Sequence, residues 1–130
     1  MQIKKVGVIG AGQMGNGIAH VLSLGGYHVI LNDIDKNTLE KASHNIKNNL
    51  ERQVNSKKIS TAESSAALKL INYTVSLEEF NEVDLVIEAA TENEPIKQKI
   101  LNSLLPHIQP HTILTSNTSS ISITRLASCT

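Results

Sequence analysis

The sequence predicts an α/β fold in which a parallel sheet is covered by helices on both faces. Three observations carry this: five short runs are almost wholly apolar, amphipathic helical stretches alternate with them, and a glycine-rich turn joins the first run to the first helix. Strands that are apolar throughout are buried on both sides, which requires helices above and below.

Ile3 to Ile9 is β-branched and ends in glycines, the pattern of a buried strand. From Gln13 to Leu24, Met14, Ile18, Val21 and Leu22 recur at helical spacing, and Gly25-Gly26 stops the helix. Tyr27 to Asn32 is the second strand. A long helix from Lys36 carries Leu39, Ala42, Ile46, Leu50 and Val54 on one stripe, with a joint at about Asn55 to Ile59. Ser60 and Glu63 form a capping box for a further helix to about Leu70. Asn72 to Val75 is the third strand, followed by a single helical turn from Ser76 to Phe80. Val83 to Ala89 is the fourth. Asn93 caps the next helix, Pro95 sits in its first turn, and Ile96, Ile100, Leu101, Leu104 and Leu105 form its core face. Thr112 to Ser116 is the fifth strand, before a polar loop and an apolar turn at Ile121, Ile123 and Leu126. The two helices between strands two and three exceed what one crossover needs. They form a helical arm, which is either a bland insertion or a ligand-touching element.

Composition excludes several function classes. A chain of 130 residues buries roughly two thirds of its unfolded surface, enough for a core of its own. Twelve Lys and Arg balance twelve Asp and Glu, and Tyr27, Tyr73 and Phe80 are the only aromatics. Phosphate-backbone tracking and base stacking therefore lack material, and no nucleic-acid partner is expected. Cys129 alone makes neither a disulfide nor a metal cluster, so no metal site is expected. No apolar run approaches the roughly 18 residues of a membrane span. The start, MQIKKVGVIG, runs straight into a strand with no targeting segment, so the expected location is cytoplasmic.

Gly10-Ala11-Gly12-Gln13-Met14-Gly15 matches G-x-G-x-x-G and lies between a strand and a helix, the context that gives the string meaning. Gly10 permits the tight turn, Gly12 lets a pyrophosphate approach the backbone, and Gly15 lets the helix press on the sheet. The amides opening that helix hold the phosphates. Asp33 follows at the end of the second strand, where a carboxylate takes both ribose hydroxyls and repels a 2′-phosphate. The fold is therefore expected to be a Rossmann-type doubly wound sheet, and the cofactor NAD in preference to NADP. A packing turn with an incidental Asp and a methyltransferase glycine loop are the competing readings. A Walker loop is excluded, because Asn16-Gly17 follows Gly15 where Lys-Ser/Thr would be needed.

Two more strings stand in order after VGVIGAGQMGNGIA: EAATENEPIKQK at Glu88 to Lys99 and TSNTSSISIT at Thr115 to Thr124. Together they resemble the 3-hydroxyacyl-CoA dehydrogenase family over the whole chain, its bacterial 3-hydroxybutyryl-CoA branch most of all. The resemblance extends to NNLERQV and KKIS of the arm. It implies hydride transfer between C3 of a short-chain 3-hydroxyacyl-CoA and the nicotinamide of NAD. It gives Ser119 the hydrogen bond to the substrate 3-oxygen, and places Asn117 beside the nicotinamide end of the cofactor. Glu92 and Lys97 would contact the nicotinamide ribose region. The arm would meet the CoA moiety, with Lys57 or Lys58 facing its phosphates. The competing readings are another hydroxyacid or sugar-acid dehydrogenase with the same N-terminal half, and a non-catalytic dinucleotide-binding module.

The family's pattern continues with a sixth strand, a G-x-H-F-x-N-P segment carrying the general-base histidine, and a helical second domain. Residues 1–130 hold none of these, so they are expected to be an NAD-binding domain incomplete at its C-terminal end and inactive alone. Among the histidines, His20 and His44 fall on helices, and His28, His107 and His111 at the wrong sheet edge. An uncovered fifth strand with Ile113 and Leu114 also predicts self-association, or a terminus folded back over it.

Overall fold

The computed structural model describes residues 3–89 and 94–116. Five parallel strands, β1 (Lys5–Ile9), β2 (His28–Asn32), β3 (Ile71–Thr74), β4 (Leu85–Glu88) and β5 (Ile113–Ser116), form one sheet in the order β3-β2-β1-β4-β5. The helices are α1 (Gln13–Leu24), α2 (Lys36–Asn55), α3 (Thr61–Lys69) and α4 (Glu94–Leu104), with 3-10 turns at Leu77–Glu82 and Leu105–His107. The chain leaves β1 toward β2 and β3 on one side, then returns to place β4 against β1's other edge. The order therefore reverses beside β1, which opens a crevice at the carboxyl ends of β1 and β4.

The strands alternate their side chains between two cores. Val6, Val8, Val29 and Leu31 enter the core that also takes Leu39, Ala42, Ile46 and Leu50 of α2 and Ala67 of α3. Ile9, Ile30 and Val86 enter the other, with Phe80 and Leu104. Gly7 explains how Phe80 fits: a Cβ there would stand 2.6 Å from the ring's Cε2. Asp84 ties the amino ends of β1 and β4, accepting from the Lys4 amide at 2.9 Å and the Lys5 amide at 3.1 Å. These donors, the Lys4 amide foremost, hold its carboxyl below the usual carboxylate range. A carboxyl lowered in the folded state stabilises above its unfolded value, about 3.9, and loses that contribution as pH falls through the folded one. Wild type should therefore exceed Asp84→Asn in urea unfolding at neutral pH, and the gap should close below about pH 4. A gap independent of pH contradicts this role.

Two apolar stripes differ from expectation. On α1 the buried residues are Gly15, Asn16, Ala19 and Ser23, whereas Met14 is 50% and Val21 69% exposed. Gly15 brings the start of α1 so close to the sheet that small residues take its innermost positions, while Ile18 and Leu22, partly buried, pack against the core as their spacing predicts. On α4, Leu101 and Leu104 are buried but Ile96 is 46% exposed. The arm is compact: α3 returns against α1, its capping box is formed by Ser60 and Glu63, and His20 Nε2 meets Gln53 Oε1 at 2.7 Å. Ile113 of β5 is exposed, the feature on which self-association would rest.

The joint of the arm stores strain. After α2, the Lys57 amide donates to the Val54 carbonyl at 3.0 Å and the Lys58 amide to that of Gln53 at 2.9 Å. This paired closure needs a left-handed residue, and Lys57 takes it with φ 61°. Lys57→Gly should raise unfolding stability by about 0.5–1 kcal/mol, the relief of the Cβ clash less the entropy glycine adds to the unfolded chain. Equal or lower stability by urea titration contradicts it.

Candidate dinucleotide-binding site

At the carboxyl end of β1 the chain turns sharply. Gly10 has φ 101°, and its amide donates to the Asn32 carbonyl at 2.7 Å, which fastens the turn to the end of β2. A Cβ on Gly15 would lie 1.6 Å from the Gly10 carbonyl oxygen, so only glycine lets α1 start this close to β1. Gly12 differs: a Cβ there would meet nothing within 4 Å. No packing within the chain requires a glycine at that position. A Cβ would instead occupy the open space in front of α1. There the amides of Gln13, Met14 and Gly15 precede the first helical bond, from the Asn16 amide to the Gly12 carbonyl. Gly12 caps the helix without any side-chain hydrogen bond. These features leave a cradle shaped for an anion approaching the backbone.

Asp33 follows β2. Its Oδ2 accepts from the Ala11 amide at 2.9 Å and its Oδ1 from the Asp35 amide at 2.9 Å. The carboxylate is thus pinned to the glycine turn, yet each oxygen keeps acceptor capacity for a hydroxyl. Asp33 and Gly10 line a trough of about 690 Å³ whose walls include Ile34, Val75 and Leu77 on one side and Ile96 and Ile100 on the other. Ile34 is 93% exposed, an aliphatic side chain that the fold spends on the trough and not on the core. Apolar walls beside one fixed carboxylate fit a purine ring and its ribose. The residues present therefore suit a dinucleotide.

A second cleft, of about 560 Å³, lies on the other side of the turn. Ala11, Gly12, Gln13 and Asn16 form one wall; Lys41, Asn45, Asn48, Asn49 and Arg52 of α2 form the other. Sequence reasoning overlooked this wall. Positions 45, 48, 49 and 52 do repeat at helical spacing beside the apolar stripe, but polar residues there carry no signature of a cleft until the glycine turn faces them. Lys57 and Lys58 do not line it; they are exposed in the turn after α2. Lys97 is carried on α4, while Glu92, Asn117 and Ser119 lie outside the described residues. Glu88, the last residue of β4, is buried at the same carboxyl edge. His107 follows α4 and precedes β5, which keeps it toward the amino edge of the sheet, and it lines the far end of the trough, which runs along α4 to the 3-10 turn that follows it. Among the described residues no group of His, Cys, Asp and Glu could hold a metal ion, and no helix is long and apolar enough to cross a membrane.

A parallel sheet with a glycine turn at its reversal point and a carboxylate just after the next strand defines a dinucleotide-binding domain of Rossmann type. Residues 5–130 match the family model for the 3-hydroxyacyl-CoA dehydrogenase NAD binding domain. The chain belongs to that family. It is 49% identical over 128 residues to a 3-hydroxybutyryl-CoA dehydrogenase of Bradyrhizobium diazoefficiens, covering 98% of this chain and 44% of that one. It is 42% identical to the fatty acid oxidation complex subunit alpha of Acinetobacter baumannii, over 96% of this chain and 17% of the relative. Among solved structures, the (S)-3-hydroxybutyryl-CoA dehydrogenase PaaH1 of Ralstonia eutropha superposes with a TM-score of 0.94 at 40% identity, covering 99% of this chain and 46% of that chain. The chain thus spans less than half the length of these relatives.

Proposed function

We propose that this chain is the cofactor-binding part of an NAD-dependent dehydrogenase that interconverts short-chain 3-hydroxyacyl-CoA and 3-oxoacyl-CoA. The observation that carries the reading is the Gly12 cradle beside a pinned Asp33. Bound NAD supplies the hydride acceptor. The α1 amides hold its phosphates, Asp33 takes the adenosine ribose hydroxyls, and Ile34 and Val75 flank the adenine. Glu92 and Lys97 contact the nicotinamide ribose region, and Asn117 the nicotinamide end. Ser119 holds the substrate 3-oxygen. These assignments are supported by the family's motif and by chain order, since residues 89–92 follow β4 and residues 117–119 follow β5. Both segments begin at the sheet edge where ligands of such folds gather.

The arm faces the CoA moiety. Lys41 and Arg52, in the wall of the second cleft, are better placed beside the glycine turn than Lys57 or Lys58. The partner is a small-molecule acyl-CoA, and the location proposed is cytoplasmic. The test is NADH oxidation followed at 340 nm with 3-oxobutyryl-CoA, comparing the whole gene product with the 130-residue chain. The proposal expects turnover by the first, and turnover lower by about 10²-fold or more in the second, because it assigns the general base to no residue of 1–130. NADH binding without acyl-CoA-dependent turnover in the whole product contradicts the assigned reaction.

A further inference from the structure

We infer that Asn32 reads the base of the dinucleotide, its Oδ1 accepting from the exocyclic amino group of adenine. The inference rests on the proposed function, with the adenosine ribose at Asp33 and the base in the trough beside it. Alternation along β2 sends Ile30 and Asn32 to the same face of the sheet. Ile30 enters the core with Phe80 and Leu104, while Asn32, at the carboxyl end of the strand, lines the trough. Asn32 is only 2% exposed, so a primary amide stands deep in the cavity, beneath the aliphatic walls of Ile34, Val75 and Ile96. An amide in that position costs free energy unless its groups find partners.

The fold uses one end of that amide. Nδ2 donates to the Thr74 carbonyl at 3.1 Å. The same carbonyl already accepts the Asp33 amide at 3.2 Å, so the pairing of β2 with β3 does not depend on the side chain. Oδ1 accepts no hydrogen bond among the described residues. The Nδ2 bond fixes the rotation of the amide and leaves Oδ1 as a preset acceptor in the trough. A dinucleotide brings ribose hydroxyls, the nicotinamide carboxamide and the adenine amino group as donors. Asp33 takes the adenosine hydroxyls, and the pyrophosphate on α1 separates the carboxamide from the trough. The adenine amino group is the donor that remains. Hypoxanthine carries a carbonyl oxygen at that position, which would set acceptor against acceptor.

Calorimetric titration of NADH and of reduced nicotinamide hypoxanthine dinucleotide into wild type, Asn32→Leu and Asn32→Val tests it, with thermal melts confirming folding. Leucine is close to asparagine in size, valine suits a strand, and neither accepts a hydrogen bond. Wild type should bind NADH about tenfold more tightly than the hypoxanthine coenzyme, the scale of one hydrogen bond exchanged for an unpaired buried acceptor. In either variant the two affinities should lie within about twofold of each other, even where both fall because the bond to Thr74 is lost. A purely structural role for Asn32 would lower both affinities and leave their ratio unmoved. Equal binding of the two coenzymes by wild type overturns the inference whether or not the variants fold, and the ribose reading stands if Asp33→Ala weakens both. A preference that persists in the variants overturns it too, since another group then reads the base. If Asp33→Ala leaves both affinities unchanged, the ribose reading fails and takes the inference with it.

Discussion

Gly15→Ala is expected to destabilise the domain by more than about 4 kcal/mol, a size reserved for clashes the structure cannot relax. The added methyl would sit 1.6 Å from the Gly10 carbonyl oxygen and 2.8 Å from its carbon, both backbone atoms. Relief requires α1 to move off the sheet, opening the core around Val8 and Ala19. With domain stabilities of about 5–15 kcal/mol, the variant should be marginal or unfolded by circular dichroism and denaturant titration. Gly12→Ala is the control that separates packing from binding. Its methyl meets nothing within 4 Å, so stability should stay within about 1 kcal/mol, the cost of a poorer cap. NADH affinity should nevertheless fall by about tenfold or more, because the methyl stands where the pyrophosphate must approach. Wild-type stability for Gly15→Ala, or wild-type NADH affinity for Gly12→Ala, would contradict these roles.

Asp33→Ala should weaken NADH binding by about 1–3 kcal/mol, the loss of charge-assisted hydrogen bonds to the ribose. The wild-type chain should bind NADH in clear preference to NADPH. Because Asp33 also fastens the Ala11 amide, part of the loss arises from a looser glycine turn. Calorimetry of the wild type showing equal or tighter NADPH binding contradicts the assignment of Asp33, as does an Asp33→Ala variant with undiminished NADH affinity.

The sheet was legible because its signal is local and redundant. Apolar runs such as VGVI and HVIL can lie only where both faces are covered, and the glycine turn fixes which helix follows which strand. Ser60 and Glu63 mark a helix start by chemistry that depends on their spacing along the chain and on nothing tertiary. Where neighbours decide, the sequence is silent or misleading. Periodicity points Met14 and Val21 of α1 inward, but the closeness forced by Gly15 selects the small residues Ala19 and Ser23 instead. Ile96 keeps helical spacing with the core residues of α4, yet it belongs to the trough wall.

The site divides in the same way. Gly10, Gly12, Gly15 and Asp33 carry their roles in a motif, because the turn needs those residue types at that spacing. Ile34 carries no such signature, since an exposed aliphatic between two aspartates is distinguished only once Val75 is seen beside it. The polar wall of α2 was hidden because surface asparagines are ordinary until a facing helix turns them into a cleft.

The central claim, that a dinucleotide lies over the glycine turn at the carboxyl edge of the sheet, is tested most directly by amide NMR of the chain during NADH titration. The account predicts saturable shifts concentrated at Gly10 to Gly15 and Asp33 to Asp35, with Val75 and Ser76 following as the trough fills. Shifts confined to the α2–α3 arm, or none at saturating NADH, would contradict it.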